Sequence, residues 1–147
     1  WIKGHDDHTL DSEIQFDYPA FLESIDIIVM GGRCFDLKMH KEYKGKQIFV
    51  ASHQDQKDEG DLHFVKDHLI DECLKEKQKG KNLYLFGGGK LIHSFIEANV
   101  IDEYIIGIIP VILGKGIPLF YPHEKTLPLK LSETFVSDGM VILKYLK

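Results

Sequence analysis

The residues whose spacing best suits chemistry are glycines rather than acids or bases. Leu83-Tyr84-Leu85-Phe86 runs into Gly87-Gly88-Gly89 and then Lys90-Leu91-Ile92-His93-Ser94-Phe95-Ile96-Glu97-Ala98. A short apolar run, three glycines and an amphipathic segment predict a buried strand, a tight turn and a helix. Glycine has no Cβ and accepts positive φ, so such a turn bends sharply and lets an anion reach its backbone. The first N–H groups of the helix lack intrahelical partners and stand at the positive end of its dipole. Phosphate is the group that such a position holds. The spacing departs from two common phosphate motifs. Ile92 stands where the dinucleotide fingerprint has its last glycine, and Leu91 follows the lysine where a P-loop has Ser or Thr. The same pattern also serves a turn that only packs a helix close to a sheet, so these residues by themselves leave both uses open.

A second junction of this kind lies upstream. Ile27-Ile28-Val29-Met30 ends in Gly31-Gly32, followed by Arg33-Cys34-Phe35-Asp36. Arg33 is either a phosphate clamp, since its planar fork pairs two oxygens at once, or a surface arginine at a helix start. Cys34 would be a reactive thiol beside that cation, but no histidine base adjoins it, and a packing role is the expectation. Cys73 shares one face of a helix predicted over 67–79 with Leu69, Ile70 and Leu74, which makes it a core residue. Gly4-His5-Asp6-Asp7-His8 carries metal-binding residue types, yet neighbours in a loop rarely converge on one ion. It is read as a solvated or substrate-side loop, with no metal.

The elements that must hold these residues follow from the apolar runs. A helix is expected over 19–25, with Phe21, Leu22 and Ile25 on one face. Ile27 to Met30 is apolar throughout, as in a strand covered on both faces. Gln47-Ile48-Phe49-Val50-Ala51 is a third strand leading into Ser52-His53, small and polar residues where open α/β sheets place ligand contacts. A charged loop over 55–61 precedes a short strand over 62–65, and Gly80 suits the cap of the 67–79 helix. A long strand over 104–109 is closed by Pro110. The segment 111–120 is apolar, but its glycines and prolines preclude a regular helix, so it is expected to line a pocket or a subunit contact. Two last strands, over 129–136 and 140–146, flank Asp138-Gly139, a hairpin signal. The expected fold is a three-layer α/β/α domain over 1–147, with a mostly parallel mixed sheet and a C-terminal antiparallel hairpin.

Bulk composition narrows the function. The 147 residues are enough for one domain with a sizeable core, and 44% hydrophobic with 28% charged residues is an ordinary globular balance. A net charge of −5 argues against general nucleic-acid binding. No apolar run reaches transmembrane length and no basic-then-apolar leader opens the sequence. Two cysteines are too few for a disulfide framework and suit a reducing cytoplasm. The chain opens on Trp1 with no initiator methionine, so a lost N-terminus is expected.

Several stretches match one family in order. Residues 27–36 resemble the V-M-G-R-x-T-[YFW]-E segment of dihydrofolate reductases, and 83–95 resemble their strand–G-G-G segment. Pro110-Val111-Ile112-Leu113-Gly114-Lys115-Gly116-Ile117-Pro118-Leu119-Phe120 resembles the reductase domain of the riboflavin-biosynthesis bifunctional deaminase–reductase and its small stand-alone relatives. The resemblance implies a dihydrofolate reductase-like fold that binds NADPH, with NADH as the second candidate. Phe86, Gly87, Gly88 and Gly89, with Lys90, Leu91 and Ile92, would hold the pyrophosphate. Gly31, Gly32, Arg33 and Cys34 would contact the phosphates from the other side, and Ser52 and His53 would lie by the adenosine ribose. Pro110, Leu113 and Gly114 would face the substrate. Gly32 stands where the family usually has arginine and Cys34 where it has threonine, a better donor than a thiol. The family's first strand and its S-L-D-G-[YF]-I-A loop are absent, and no general acid can be named. The implied activity is hydride transfer from the nicotinamide cofactor to a small pteridine- or pyrimidine-like substrate in a cytoplasmic homodimer. The alternatives are a nucleotide-binding regulatory module without turnover and a purely structural dimer built through residues 105–120.

Overall fold

The computed structural model describes residues 12–137 and 139–147. Trp1, the Gly4-to-His8 loop and Asp138 of the hairpin turn lie outside the described residues. The chain gathers into two compact units. Pro19–Ala98 with Leu119–Tyr121 form one, and residues 12–18 with Asn99–Pro118 and Pro122–Lys147 form the other.

The first unit is built on a parallel sheet of β1 (Ile27–Gly31), β2 (Gln47–Ala51), β3 (Leu62–Val65) and β4 (Leu83–Gly87), in the order β3-β2-β1-β4. The most apolar strand, β1, is central, and Ile27, Ile28, Val29 and Met30 are all buried. Successive side chains point to opposite faces of a strand, so a strand buried on both faces must be apolar at every position. On one face Ile28 and Met30 join Ile25, Tyr43, Ile48 and Val50 in a core cluster. Phe21 and Leu22 of α1 (Tyr18–Glu23) and Phe35 of α2 (Gly32–Asp36) pack against it. Its aromatic rings meet edge-on, Phe21 with Tyr84 at 5.1 Å and Tyr43 with Phe86 at 5.5 Å between centroids, the arrangement that ring quadrupoles favour. Ile27 and Val29 point to the other face. The buried apolar residues outside the cluster include Leu69 and Cys73 of α3 (Leu69–Gln78) and Phe95 and Ile96 of α4 (Gly89–Glu97).

Local signals in the sequence act as their chemistry requires. The Gly80 N–H donates to the Lys77 carbonyl (2.9 Å) and the Lys81 N–H to the Glu76 carbonyl (3.2 Å), with Gly80 at φ +84. This double bond pattern closes α3 and needs a left-handed residue. The Asn82 N–H donates to the Asp26 carboxylate (2.8 Å) and the Asp26 N–H to the Asn82 carbonyl (2.9 Å), clasping the starts of β1 and β4.

The second unit holds an antiparallel sheet of β5 (Glu103–Ile108), β6 (Lys130–Ser137) and β7 (Met140–Leu146), in the order β5-β7-β6. The expected hairpin is β6–β7, and β5 joins it, so the parallel and antiparallel strands of the described residues form two hydrogen-bonded sheets. Lys144 bridges its flanking strands, 3.3 Å from Glu103 and 3.0 Å from Glu133. Residues 109–118 are irregular, as their glycines and prolines predict, and Ile112, Leu113 and Ile117 are exposed. Among the described residues no helix is long and apolar enough to cross a membrane.

Candidate functional site

Parallel neighbours end at the same sheet edge, and this brings the two glycine junctions together. Met30 pairs with Gly87 and Gly31 with Ala51, so Gly31-Gly32, Gly87-Gly88-Gly89 and Ser52 all leave the C-terminal edge of the sheet. A Cβ placed on Gly31 would lie 3.6 Å from the Gly87 oxygen and 4.0 Å from the Gly88 nitrogen. One placed on Gly32 would lie 3.3 Å from the Ala51 oxygen, tighter than side chains normally come. Gly87, at φ +133, takes a backbone conformation that L side chains rarely adopt, and its peptide to Gly88 is cis. Gly88 is exposed, and a Cβ on it would meet nothing within 4 Å. The space at Gly88 is therefore open, and a side chain on Gly31 would stand against the Gly87–Gly88 peptide.

Helix α4 opens into that space without a side-chain cap. The N–H groups of Leu91 and Ile92 donate to the Gly88 carbonyl (2.9 and 3.0 Å). The amides of Gly89 and Lys90 have no acceptor among the described residues. Arg33 and Lys90 are exposed cations without an ion-pair partner among the described residues. Free amides at the positive end of a helix, two unpaired cations and a space left by missing Cβ atoms suit a diphosphate. The residues at this edge thus fit the phosphate-bearing part of a dinucleotide.

Several other expected site residues are committed elsewhere. The ring of Phe86 and the side chain of Cys34 pack against the core cluster, leaving their backbones to the turn. The Ser52 hydroxyl donates to the Gln54 carbonyl (2.7 Å) and accepts from the Gln54 N–H (3.1 Å). Its one proton is already used by its own loop, a choice open to any serine in a turn. His53 is exposed. Leu91 and Ile92 are half-buried, and the Ile92 δ-methyl lies 3.7 Å from where a Gly87 Cβ would stand. Pro110, Leu113 and Gly114 are exposed on the irregular segment of the second unit.

Sequence reasoning missed Tyr121. Its ring sits directly on Gly89, where an added Cβ would come within 2.8 Å of Cε2, and it meets the His93 ring edge-on at 5.9 Å. Nothing local marks a tyrosine 32 positions downstream as the neighbour of a glycine turn.

Two open clefts lie elsewhere on the first unit. One, of about 470 Å³, is lined by Phe49, His63, Asp58, Glu76 and Lys79 among others. Its charges are already paired: Asp58 with His63 at 2.9 Å and Glu76 with Lys79 at 2.6 Å. The His63 bond, with a further one from the Phe64 N–H, holds the Asp58 carboxyl below its usual range. The second, of about 410 Å³, lies by Asp26 and Gln47 at the strand starts, away from the glycine turns.

The fold is α/β of the dihydrofolate reductase-like kind, with two glycine turns meeting at the C-terminal edge of its parallel sheet. The chain belongs to the RibD C-terminal domain family, whose model matches residues 26–143. It is 32% identical over 145 residues to the uncharacterized protein YyaP of Bacillus subtilis (strain 168), covering 87% of this chain and 77% of that protein. A crystal structure from Shewanella sp. PV-4, of a protein named for riboflavin biosynthesis, superposes with TM-score 0.75 at 26% identity. It covers 92% of this chain and 81% of that one. The diaminohydroxyphosphoribosylaminopyrimidine deaminase/5-amino-6-(5-phosphoribosylamino)uracil reductase of Thermotoga maritima superposes with TM-score 0.67 at 12% identity, a likeness of fold. The chain covers 50% of that bifunctional protein's length. The family and fold expected from the motifs are those found.

Proposed function

We propose that this chain is an NADPH-dependent reductase of a small pteridine- or pyrimidine-like substrate, with NADH as the second candidate cofactor. The observation that carries the reading is the meeting of two glycine turns around the free amides of Gly89 and Lys90. These amides would hold the diphosphate, with Arg33 and Lys90 neutralising its charge. Gly31 and Gly88 keep the backbone close enough for direct hydrogen bonds. When bound, the nicotinamide supplies the hydride, and the protein's part is orientation and exclusion of water. Membership of a family that includes a pyrimidine reductase supports the substrate class. Lys115 is the one cation of the irregular segment, few for a substrate that carries its own phosphate, which favours a small stand-alone member with an acceptor of its own. A homodimer through the apolar region 105–120 belongs to the same proposal.

One observation favours a second reading, a nucleotide-binding module without turnover. Two of the side-chain donors expected at the site are withdrawn, the Ser52 hydroxyl into its loop and the Cys34 thiol into the core. The experiment is calorimetric titration with NADPH and NADH, followed by a screen of pteridine and pyrimidine acceptors at saturating cofactor. Loss of nicotinamide absorbance with one acceptor supports the reductase. Tight binding with no acceptor reduced selects the module, and no binding below millimolar concentration removes both.

A further inference from the structure

We propose that Tyr121 is a positioning residue for the phosphate cradle, bracing the first turn of α4 across the bare Cα of Gly89. The proposal rests on the nucleotide reading for its ligand. Leu119–Tyr121 is a three-residue strap that belongs to the first unit although the chain on both sides of it belongs to the second. The strap delivers one aromatic ring to the start of α4.

The fit is close. The three nearest atoms to a Cβ built on Gly89 all come from the Tyr121 ring: Cε2 at 2.8 Å, then Cδ2 and Cζ at 3.7 Å. Real Cβ atoms essentially never come as near as the first, so the ring takes this seat because residue 89 is glycine. Four residues on, and therefore on the same helix face, His93 meets the same ring edge-on, with 61° between planes. The His93 Nδ1 is buried with no hydrogen-bond partner among the described residues, and there packing against the tyrosine ring is the contact made by the imidazole. One ring thus spans the first turn of α4 from residue 89 to residue 93.

That turn needs a brace. It begins with Gly88 and Gly89, has no side-chain cap, and glycine gives up more backbone freedom on ordering than any other residue. Amides that must meet an anion bind best when their direction is fixed beforehand. The seat on Gly89 fixes it for the Gly89 and Lys90 N–H groups. The contact is made by ring carbons, so the hydroxyl is dispensable to it.

The test is a double-mutant cycle read by NADPH titration, at a temperature well below the melting point of each variant. Tyr121→Ala weakens NADPH binding roughly tenfold, and Gly89→Ala, which displaces the ring, weakens it comparably. Tyr121→Phe binds as the wild type does. With the ring gone the added methyl has nothing to strike, so Gly89→Ala/Tyr121→Ala is no weaker than Tyr121→Ala alone, the signature of coupled sites. Where Tyr121→Ala folds poorly, Gly89→Ala, a substitution that suits a helical position, and Tyr121→Phe still test the role: a loss in the first with none in the second supports it, and unchanged affinity in Gly89→Ala overturns it. Wild-type protein that binds NADPH while Tyr121→Ala and Gly89→Ala bind equally well, with only the melting point moved, overturns the role of Tyr121 and leaves the nucleotide reading standing. Additive losses in the double variant also overturn it. Wild-type protein that binds no nucleotide overturns both.

Discussion

Cys73 shows what burial does to a single group. It lies in the apolar face of α3, and burial, with Glu72 and Glu76 nearby, pushes its thiol up to about 12. A thiol that stays neutral does not attack electrophiles. Native protein at pH 8 is therefore expected to resist iodoacetamide at Cys73 and to be labelled there once unfolded, as read by peptide mass spectrometry. The raised value also sets an alkaline limb. The unfolded thiol ionises near pH 9 while the folded one keeps its proton, so stability falls as pH rises from about 9 toward 12. Urea midpoints across that range should show the slope, reduced in Cys73→Ala. Residues of this kind are legible in sequence, since the spacing of Leu69, Ile70, Cys73 and Leu74 marks one helix face. Ser52 was not, because its hydroxyl chooses between a ligand and its own loop, and Gln54 decides that only once the turn exists.

Elements were legible where the signal is local. The apolar β-branched run made β1, the glycine pair and the glycine triplet made turns, and Gly80 closed α3 in the left-handed conformation that favours glycine. What the sequence withheld is pairing, which depends on contacts between distant segments. That β1 lies between β2 and β4, and that β5 joins the hairpin, follows from packing rather than from any one window. The Asp26–Asn82 clasp is such a non-local feature, and it carries a prediction. The Asn82 N–H, then Lys81 at 3.4 Å, hold the Asp26 carboxyl below its usual range. A lowered folded value gives stability that is present above the unfolded value and lost as pH falls through the folded one. Acid unfolding below about pH 4 should therefore draw on this clasp. Asp26→Asn is expected to lower the urea midpoint at neutral pH and flatten its decline in acid. An unchanged acid limb in the variant would remove the clasp from the account.

At the scale of the molecule, family and fold were readable from the joint order of motifs, none of which was specific alone. Two matters decided beyond the chain's local pattern are the partner and the ligand. Ile112 is 100% exposed, and Ile108, Leu113 and Ile117 are exposed with it in the second unit. This exposed apolar segment is the surface offered for the proposed dimer contact. If the proposed homodimer is right, light scattering gives the mass of a dimer for the wild type and of a monomer for Ile112→Asp, and a monomeric wild type would contradict the proposal.

The central claim is that backbone amides at the glycine turns receive a diphosphate, and Gly31→Ala tests it most directly. Gly31 has φ −79, which alanine accepts, and its new methyl would make only ordinary contacts, 3.6 Å from the Gly87 oxygen and 4.0 Å from the Gly88 nitrogen. The fold should survive while a methyl group stands beside the Gly87–Gly88 peptide that the diphosphate would meet. Calorimetric titration with NADPH is predicted to show micromolar binding to the wild type and a loss of roughly a hundredfold in Gly31→Ala, at an unchanged melting point. Equal affinity in the two proteins would contradict the account.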